Sequence, residues 1–115
     1  MVITATAFLK YDTGKPEFDL VSQFDKELGE INNVMKHGAD KYGLDNWKLC
    51  TPEGIRRYRN AAMRHLLSSF SNPIDLDSGC SHYAHVITNL LFIAYLERDN
   101  NCLNKETKTL TEGKL

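Results

Sequence analysis

Two histidines and an asparagine recur at helical spacing in the last third of the chain. His82, His85 and Asn89 are three and four positions apart, so in an α-helix they lie on one face. Asp75 and Asp77 precede them. Imidazole binds metals or exchanges protons near neutral pH, and carboxylates bind cations. The pattern predicts a site for metal or acid–base chemistry, with hydrogen bonding to core partners as the alternative.

A second acidic pair lies earlier in the chain. Glu27 and Glu30 are three residues apart and share a face of a predicted helix, and His37 and Lys41 extend the same stripe. Mg²⁺ and Mn²⁺ prefer oxygen ligands, which such a pair supplies. On spacing alone, a solvated helix surface is the favoured interpretation.

The two aspartates before the histidines have a local role to fill as well. Either Asp75 or Asp77, or the neighbouring Ser78, is suited to cap a helix that begins after Gly79. One cap does not account for both carboxylates. The sequence therefore leaves one of them for a cation or a basic side chain.

Candidate phosphate-binding side chains are spread over three segments. Arg57 and Arg64 lie along one side of a predicted helix, and guanidinium forms forked hydrogen bonds with phosphate or carboxylate oxygens. Lys15 stands in a turn between glycine and proline, and Lys41 precedes Gly43. Salt bridges from the arginines to the first helix are the competing interpretation.

Candidate base-binding residues are Asn46, Trp47 and Asn89. An indole ring can stack on a nucleobase while an amide pairs with the base edge. Trp47 is the only tryptophan of the chain. For that residue alone, a core anchor is the favoured interpretation.

Three helices must position these groups. The first is predicted from near Asp19 to Gly43, the second from 51–53 to about Phe70, and the third from after Gly79 to about Arg98. The predicted apolar stripes are Leu20, Phe24, Leu28, Ile31 and Met35 on the first helix, and Ile55, Tyr58, Ala62, Leu66 and Phe70 on the second.

The third helix is apolar on nearly every side from residue 83 to 96, which is typical of a central helix. The pattern predicts a homo-oligomer, a dimer or a tetramer. Residues 1–9 are expected to form an extended arm, an edge strand or an unpaired terminus, and residues 101–115 a polar tail. The fold class is therefore a single all-α domain over residues 1–100, a bundle of three to four helices.

Composition narrows the class of protein. The 115 residues carry a formal net charge of −1, which does not favour binding to duplex nucleic acid. The three cysteines, Cys50, Cys80 and Cys102, have no zinc-type or redox-type spacing. We expect no signal peptide and no membrane span. The expected location is the cytoplasm.

Several blocks of the chain occur in an order found in one enzyme family. They are residues 10–16, 38–43, 46–47, 64–66 and 75–79, followed by His82, His85 and Asn89. Through these blocks, residues 10–98 resemble the dATP/dGTP pyrophosphohydrolases of bacteriophages. This MazZ-type family belongs to the all-α, MazG-like nucleoside triphosphate pyrophosphohydrolases.

The resemblance implies an oligomer that cleaves a deoxynucleoside triphosphate to its monophosphate and pyrophosphate. It implies Mg²⁺ or Mn²⁺ held in a Glu-x-x-Glu pattern, which Glu27 and Glu30 match. The second acidic pair of the superfamily, Glu-x-x-Asp, is not found at its usual distance. Asp75 and Asp77 take its place and complete the expected set of metal ligands. The expected catalytic residues are Glu30, His82 and His85.

Two other functions fit the same residues. The absent acidic pair favours a helical protein of phage origin that binds a nucleotide or a partner with little or no turnover. The other alternative is a purely structural helical protein. Ion pairs from Arg57 and Arg64 to Glu27 and Glu30 would favour that second alternative.

Overall fold

The computed structural model describes residues 6–49, 51 and 53–98. These residues form three α-helices, α1 (Asp25–Tyr42), α2 (Gly54–Ser69) and α3 (His82–Arg98). Short 3-10 turns at Val21–Phe24 and Asn46–Lys48 precede and follow α1. No strand occurs in this described part, so the predicted all-α class is confirmed. None of its helices is long and apolar enough to span a membrane.

Helices α2 and α3 pack against each other in an antiparallel pair. At one end, Ile55 of α2 clusters with Ile93 and Leu96 of α3. At the other end, His65 of α2 contacts His82 of α3. From the first end to the second, residue numbers thus increase in α2 and decrease in α3. We call this line of contacts the α2–α3 seam. Its members are Ile55, Tyr58, Ala62 and His65 from α2, and His82, His85, Asn89, Phe92 and Leu96 from α3.

Helix α1 covers the beginning of α3. Val34 of α1 packs with Cys80 and Ala84 in a second small buried cluster. Ile31, one turn earlier on α1, is also buried. This packing holds the middle of α1 beside the loop that leads into α3.

The start of α1 differs from the sequence expectation. The α-helix begins at Asp25 rather than near Asp19, and Leu20, Phe24 and Leu28 of the predicted stripe are exposed. In the single chain, the packing of α1 against α3 involves the part of α1 that follows Leu28. The predicted end is confirmed, since Gly43 has φ of 98° and its N–H donates to the carbonyl of Ala39.

The predicted stripe of α2 is wrong in its last turn. Phe70 is 76% exposed, and Leu66 is only partly buried. The side chain that faces α3 there is His65, one position before Leu66. The spacing along the seam is therefore three, four and three residues from Ile55 to His65.

The loop between α2 and α3 folds back on itself before α3 starts. Ile74 and Ser81 form an isolated antiparallel bridge, and Gly79 turns the chain with φ of 74°. The α3 cap is Ser81, whose Oγ accepts a hydrogen bond from the N–H of Tyr83 at 3.0 Å. The capping role expected of Asp75, Asp77 or Ser78 belongs instead to this later serine.

The remaining expectations concern the ends of the chain and the cysteines. Residues 6–9 are exposed and form no strand, so a strand there is not found. Residues 1–5 and the expected tail at 101–115 lie outside the described residues, as do Cys50 and Cys102. Cys80 is a buried free thiol.

Candidate functional site

Three histidines meet at the polar end of the α2–α3 seam. The Nδ1 atoms of His65 and His82 are 2.9 Å apart. The ring of His65 also stacks on that of His85, with centroids 4.1 Å apart and planes inclined by 9°. His82 and His85 are buried, so their ring nitrogens require partners inside the protein.

Asp75 and Ser78 supply partners for His85. Ser78 Oγ donates to Asp75 Oδ2 at 2.7 Å, and the same serine oxygen then accepts from His85 Nε2 at 2.6 Å. The Ser78 N–H also donates to Asp75 Oδ2. The ring nitrogen of His85 lies 3.4 Å from the same carboxylate oxygen. This network fixes the position of Asp75 beside the histidines.

The protonation of these groups follows from their surroundings. Burial lowers the pKa of His65 and of His85, and nearby imidazoles lower both further. Burial raises the pKa of Asp75, but hydrogen bonds from the Ser78 hydroxyl and N–H, together with the electrostatic interaction with His85 and His65, outweigh it and give a net lowering. Near neutral pH the site thus favours an ionised Asp75 beside neutral His65 and His85 rings.

The second aspartate of the loop points to α1. Asp77 Oδ2 accepts from Lys41 Nζ at 3.0 Å and lies 3.1 Å from His37 Nε2. The hydrogen bond from Lys41 lowers the pKa of Asp77 and raises that of Lys41. Sequence spacing placed His37 and Lys41 on one stripe of α1, and this stripe meets the loop at Asp77.

Glu30 also reaches the start of α3. Its Oε1 accepts a hydrogen bond from the N–H of Ser81, immediately before His82. A carboxylate at this point stabilises the positive end of the α3 dipole. Glu30 lines a surface cavity of about 610 Å³ together with Asn33, Gly79 and other residues. Glu27 is exposed one turn earlier on α1.

One group of three potential metal ligands stands out in the described part of the chain. One ligand atom each from His65, Asp75 and His82 lies within 4.8 Å of the others. The described structure brings no three of the sequence-predicted ligands Glu27, Glu30, Asp75 and Asp77 into such a group. Their role as metal ligands stays a prediction.

The candidate phosphate-binding residues are exposed. Lys41 is paired with Asp77. Lys15 lies in a turn, where its backbone N–H donates to the carbonyl of Asp12. Within the described ranges, Arg57 and Arg64 form no ion pair with Glu27 or Glu30. The ion pairs that would favour a purely structural protein are therefore not found there.

Of the candidate base-binding residues, Trp47 packs at the opposite, apolar half of the seam. Trp47 is partly buried, and its ring stacks on Phe92 with centroids 4.5 Å apart and meets the edge of Tyr95. This packing is that of a core anchor. Asn89 lies one turn before Phe92, and its Nδ2 donates to the carbonyl of His85 at 2.8 Å. Asn46 is exposed.

The family model described as "dATP/dGTP diphosphohydrolase, N-terminal" matches residues 5–106 of this sequence. That match spans all three helices and every residue of the histidine site. The chain belongs to this family. The family resemblance inferred from the sequence blocks is thereby confirmed.

A curated relative within the dATP/dGTP diphosphohydrolase family is the dATP/dGTP diphosphohydrolase of Salmonella phage PMBT28. It is 35% identical over 89 residues, which cover 76% of this chain and 29% of the relative. The chain thus spans about 29% of the length of the relative it matches. No solved structure matches the chain.

His65 is the site residue that sequence reasoning missed. It appeared only within the block 64–66 and was given no role. Its signal is its position three residues after Ala62 on the apolar face of α2. A histidine at a core-facing position needs a polar partner, and His82 and His85 supply the polar surroundings.

Proposed function

We propose that this protein hydrolyses deoxypurine nucleoside triphosphates to the monophosphate and pyrophosphate. The observation that carries the proposal is the convergence of α1, α2 and α3 on the loop before α3. There Asp75 lies with His65, His82 and His85, and Glu30 bonds to the backbone of Ser81, immediately before His82, in a member of the dATP/dGTP diphosphohydrolase family. Carboxylates and imidazoles of this kind supply cation binding and proton transfer.

The donor set suits Mg²⁺ or Mn²⁺, the proposed cofactors. Glu27, Glu30, Asp75 and Asp77 offer carboxylate oxygens, which these ions prefer. Glu30 has one oxygen bonded to the Ser81 N–H, and its second oxygen remains for a ligand. When bound, Mg²⁺ or Mn²⁺ neutralises triphosphate charge and makes water more acidic.

Proton transfer is assigned to Glu30, His82 and His85. The pKa of His85 is lowered, chiefly by burial, so a neutral ring is available near pH 7 to accept a proton. Ser78 and Asp75 orient this ring through its Nε2. His82, at the first residue of α3, lines a second cavity with Asp75 and Asp77.

Binding of the triphosphate is assigned to the exposed cations. Lys15, Lys41, Arg57 and Arg64 are the candidates, and guanidinium suits forked bonds to phosphate. Lys41 is already at the site through Asp77, so it can exchange a carboxylate partner for a phosphate oxygen. Asn46, Trp47 and Asn89 remain the candidates for purine binding, although the Trp47 ring face toward Phe92 is occupied.

We also propose a homo-oligomer. The outer side of α3 exposes Tyr83, followed by Ile87, Leu90 and Leu91 at four, seven and eight positions beyond it. An exposed apolar stripe of this length is typical of an interface. Sedimentation velocity of the protein, compared with a Leu90→Lys and Leu91→Lys double variant, tests this. A monomeric wild-type protein contradicts it.

The decisive experiment is a hydrolysis assay with dATP, dGTP, dCTP and dTTP and with Mg²⁺ or Mn²⁺, in which released pyrophosphate is measured. We expect turnover of the purine nucleotides and a decrease of at least about 10²-fold in Glu30→Gln. Glu97→Gln, at the exposed end of α3, is the matched control and retains the rate. If none of the four nucleotides releases pyrophosphate, the proposed enzymatic activity is refuted.

A second candidate is a binding protein without turnover. It is favoured by the fact that Glu30 and Asp75 already have internal partners, the Ser81 N–H and Ser78. Isothermal titration with dGTP distinguishes the two functions. Binding without pyrophosphate release, unaffected by Glu30→Gln, selects this alternative.

A further inference from the structure

We propose that His65, Asp75 and His82 form a binding site for a transition-metal ion of the Co²⁺, Ni²⁺ or Zn²⁺ class. The site consists of two imidazoles and one carboxylate from α2, the following loop and α3. It differs from the Mg²⁺ or Mn²⁺ ligands expected from the sequence, with which it shares only Asp75. The inference goes beyond the proposed hydrolysis, because binding of a metal ion at this site requires neither a nucleotide nor its hydrolysis.

The spacing of the ligand atoms supports one shared ion. One atom from each of the three residues lies within 4.8 Å of the others, and the two Nδ1 atoms are 2.9 Å apart. Two ring nitrogens that bind one tetrahedral ion, each about 2 Å from it, are about 3.3 Å apart, a few tenths of an ångström more than the Nδ1 atoms are here. The two histidines therefore need little movement to bind a common ion.

Asp75 has an oxygen available for the ion. Its hydrogen bonds from the Ser78 N–H and hydroxyl, and its approach to His85, all involve Oδ2. Oδ1 is thus left for a further ligand. Partners that hold a ligating carboxylate in place are typical of metal sites, and they orient the ligand before the ion arrives.

The histidine rings are also held in position. His85 stacks on His65 with centroids 4.1 Å apart, and the backbone N–H of His82 donates to the carbonyl of Pro73 at 2.9 Å. His82 is 7% exposed and His65 is partly buried. A ring held this way gives up little further freedom when it binds an ion.

The ligand types decide which ions the site prefers. Imidazole nitrogen favours Co²⁺, Ni²⁺ and Zn²⁺, whereas Mg²⁺ favours an all-oxygen environment. Three protein ligands leave positions open for water or for another molecule. We therefore expect tighter binding of these transition-metal ions than of Mg²⁺.

The test is a titration of chelator-treated protein with Co²⁺, followed by its visible absorption. We expect one equivalent of Co²⁺ to bind, with at least about a tenfold loss of affinity in His65→Gln and in His82→Gln, as for a lost ligand or supporting partner. His37→Gln is the matched control, because His37 bonds to Asp77 rather than to the cluster, and it retains binding. Circular dichroism confirms that each variant is folded.

A second measurement needs no variant. Nitrogen NMR of the wild-type imidazoles with added Zn²⁺ should move the Nδ1 resonances of His65 and His82 to the positions of metal-bound nitrogen, and leave the ring nitrogens of His37 unligated. Absence of both changes overturns the site and indicates that the two histidines only hydrogen-bond to each other. So does Co²⁺ binding that depends on Glu27 and Glu30 instead.

Hydrolysis is measured separately on the same variants. If the protein releases pyrophosphate in Mg²⁺ and His65→Gln leaves Co²⁺ binding unchanged, the metal site is overturned and the proposed function stands. If Co²⁺ binding is lost in both histidine variants and the wild type hydrolyses no nucleotide, the metal site stands and the proposed function is overturned. The two proposals thus fail independently.

Discussion

The two ends of the α2–α3 seam have the same helical spacing and opposite chemistry. At the apolar end, Ile55 and Leu96 are 2% and 1% exposed and pack with Ile93 and Tyr58. At the polar end, the corresponding positions hold His65, His82 and His85, which contact one another through ring nitrogens and a ring stack.

The comparison separates two ways in which one helix pair is held together. Apolar contacts at the first end are non-directional, and burial alone makes them favourable. Imidazoles at the second end need a partner for each buried nitrogen, and the described part of the chain leaves no buried side-chain nitrogen or oxygen without one. That end is held by the loop around Asp75 and Ser78, which also places charge beside the histidines.

Leu96→Ala should have the largest effect on stability. Leu96 is 1% exposed at the apolar end, and truncation leaves a cavity that costs about 3 kcal/mol. Urea unfolding followed by circular dichroism measures the loss. Leu44→Ala, at a position 84% exposed, is the control with a cost near zero. Equal losses for the two variants would mean that the apolar end does not carry the fold.

Ser78→Ala tests the polar end without removing a histidine. It deletes the hydroxyl that joins Asp75 and His85, and we expect a loss of about 2 kcal/mol because partly buried partners are left unpaired. Ser71→Ala, in the same loop and exposed, should be neutral in urea unfolding. If Ser78→Ala is neutral as well, the network does not stabilise this end.

Tyr58→Phe should have a smaller effect, with a dependence on pH. The Tyr58 hydroxyl donates to the carbonyl of Trp47 at 2.9 Å, and its loss costs about 1 kcal/mol. Burial raises the pKa of Tyr58, so the folded state keeps its proton to higher pH than the unfolded chain does.

The contribution of that tyrosine is therefore complete below about pH 10, the pKa of an unperturbed tyrosine. It is lost as the pH rises through the higher folded value. Unfolding at pH 8, 10 and 11 should show the advantage over Tyr58→Phe shrinking at the two alkaline points. Tyr83→Phe, at an exposed position, is the control. An advantage that grows above pH 10 has the wrong sign.

Lys41→Met should have the smallest effect on stability, below that of Tyr58→Phe. The pair with Asp77 is exposed, and salt screens such pairs. The hydrogen bond from Lys41 lowers the pKa of Asp77, so the pair is intact above the ordinary carboxyl range and lost as the pH falls through the lowered value. Carbon NMR should find a higher Asp77 pKa in Lys41→Met and no change in Lys36→Met.

Local signals predicted most of the helical structure. Gly43 ends α1 because its positive φ suits glycine, and α3 begins soon after Gly79 and runs to Arg98 as expected. The predicted start of α1 was wrong because the prediction took apolar residues at helical spacing, such as Phe24 and Leu28, to be a buried helix face. In the single chain these two side chains remain exposed.

The candidate site was predicted in part. The stripe of His82 and His85 behind Asp75 is visible from spacing alone, and the structure joins these residues through Ser78. Asp75 and Asp77 look equivalent in the sequence, yet one bonds toward α3 and the other toward α1. The difference depends on how the loop turns at Gly79, which no residue spacing specifies.

The sequence by itself determined that the chain forms three helices, and which acids and imidazoles share a face of α1 or α3. Helix period is a local property, so it can be inferred from neighbouring residues. Only the tertiary structure decided that His65, rather than Leu66, faces α3, and that Glu30 reaches Ser81. These contacts join residues far apart in the chain, and packing between helices selects them.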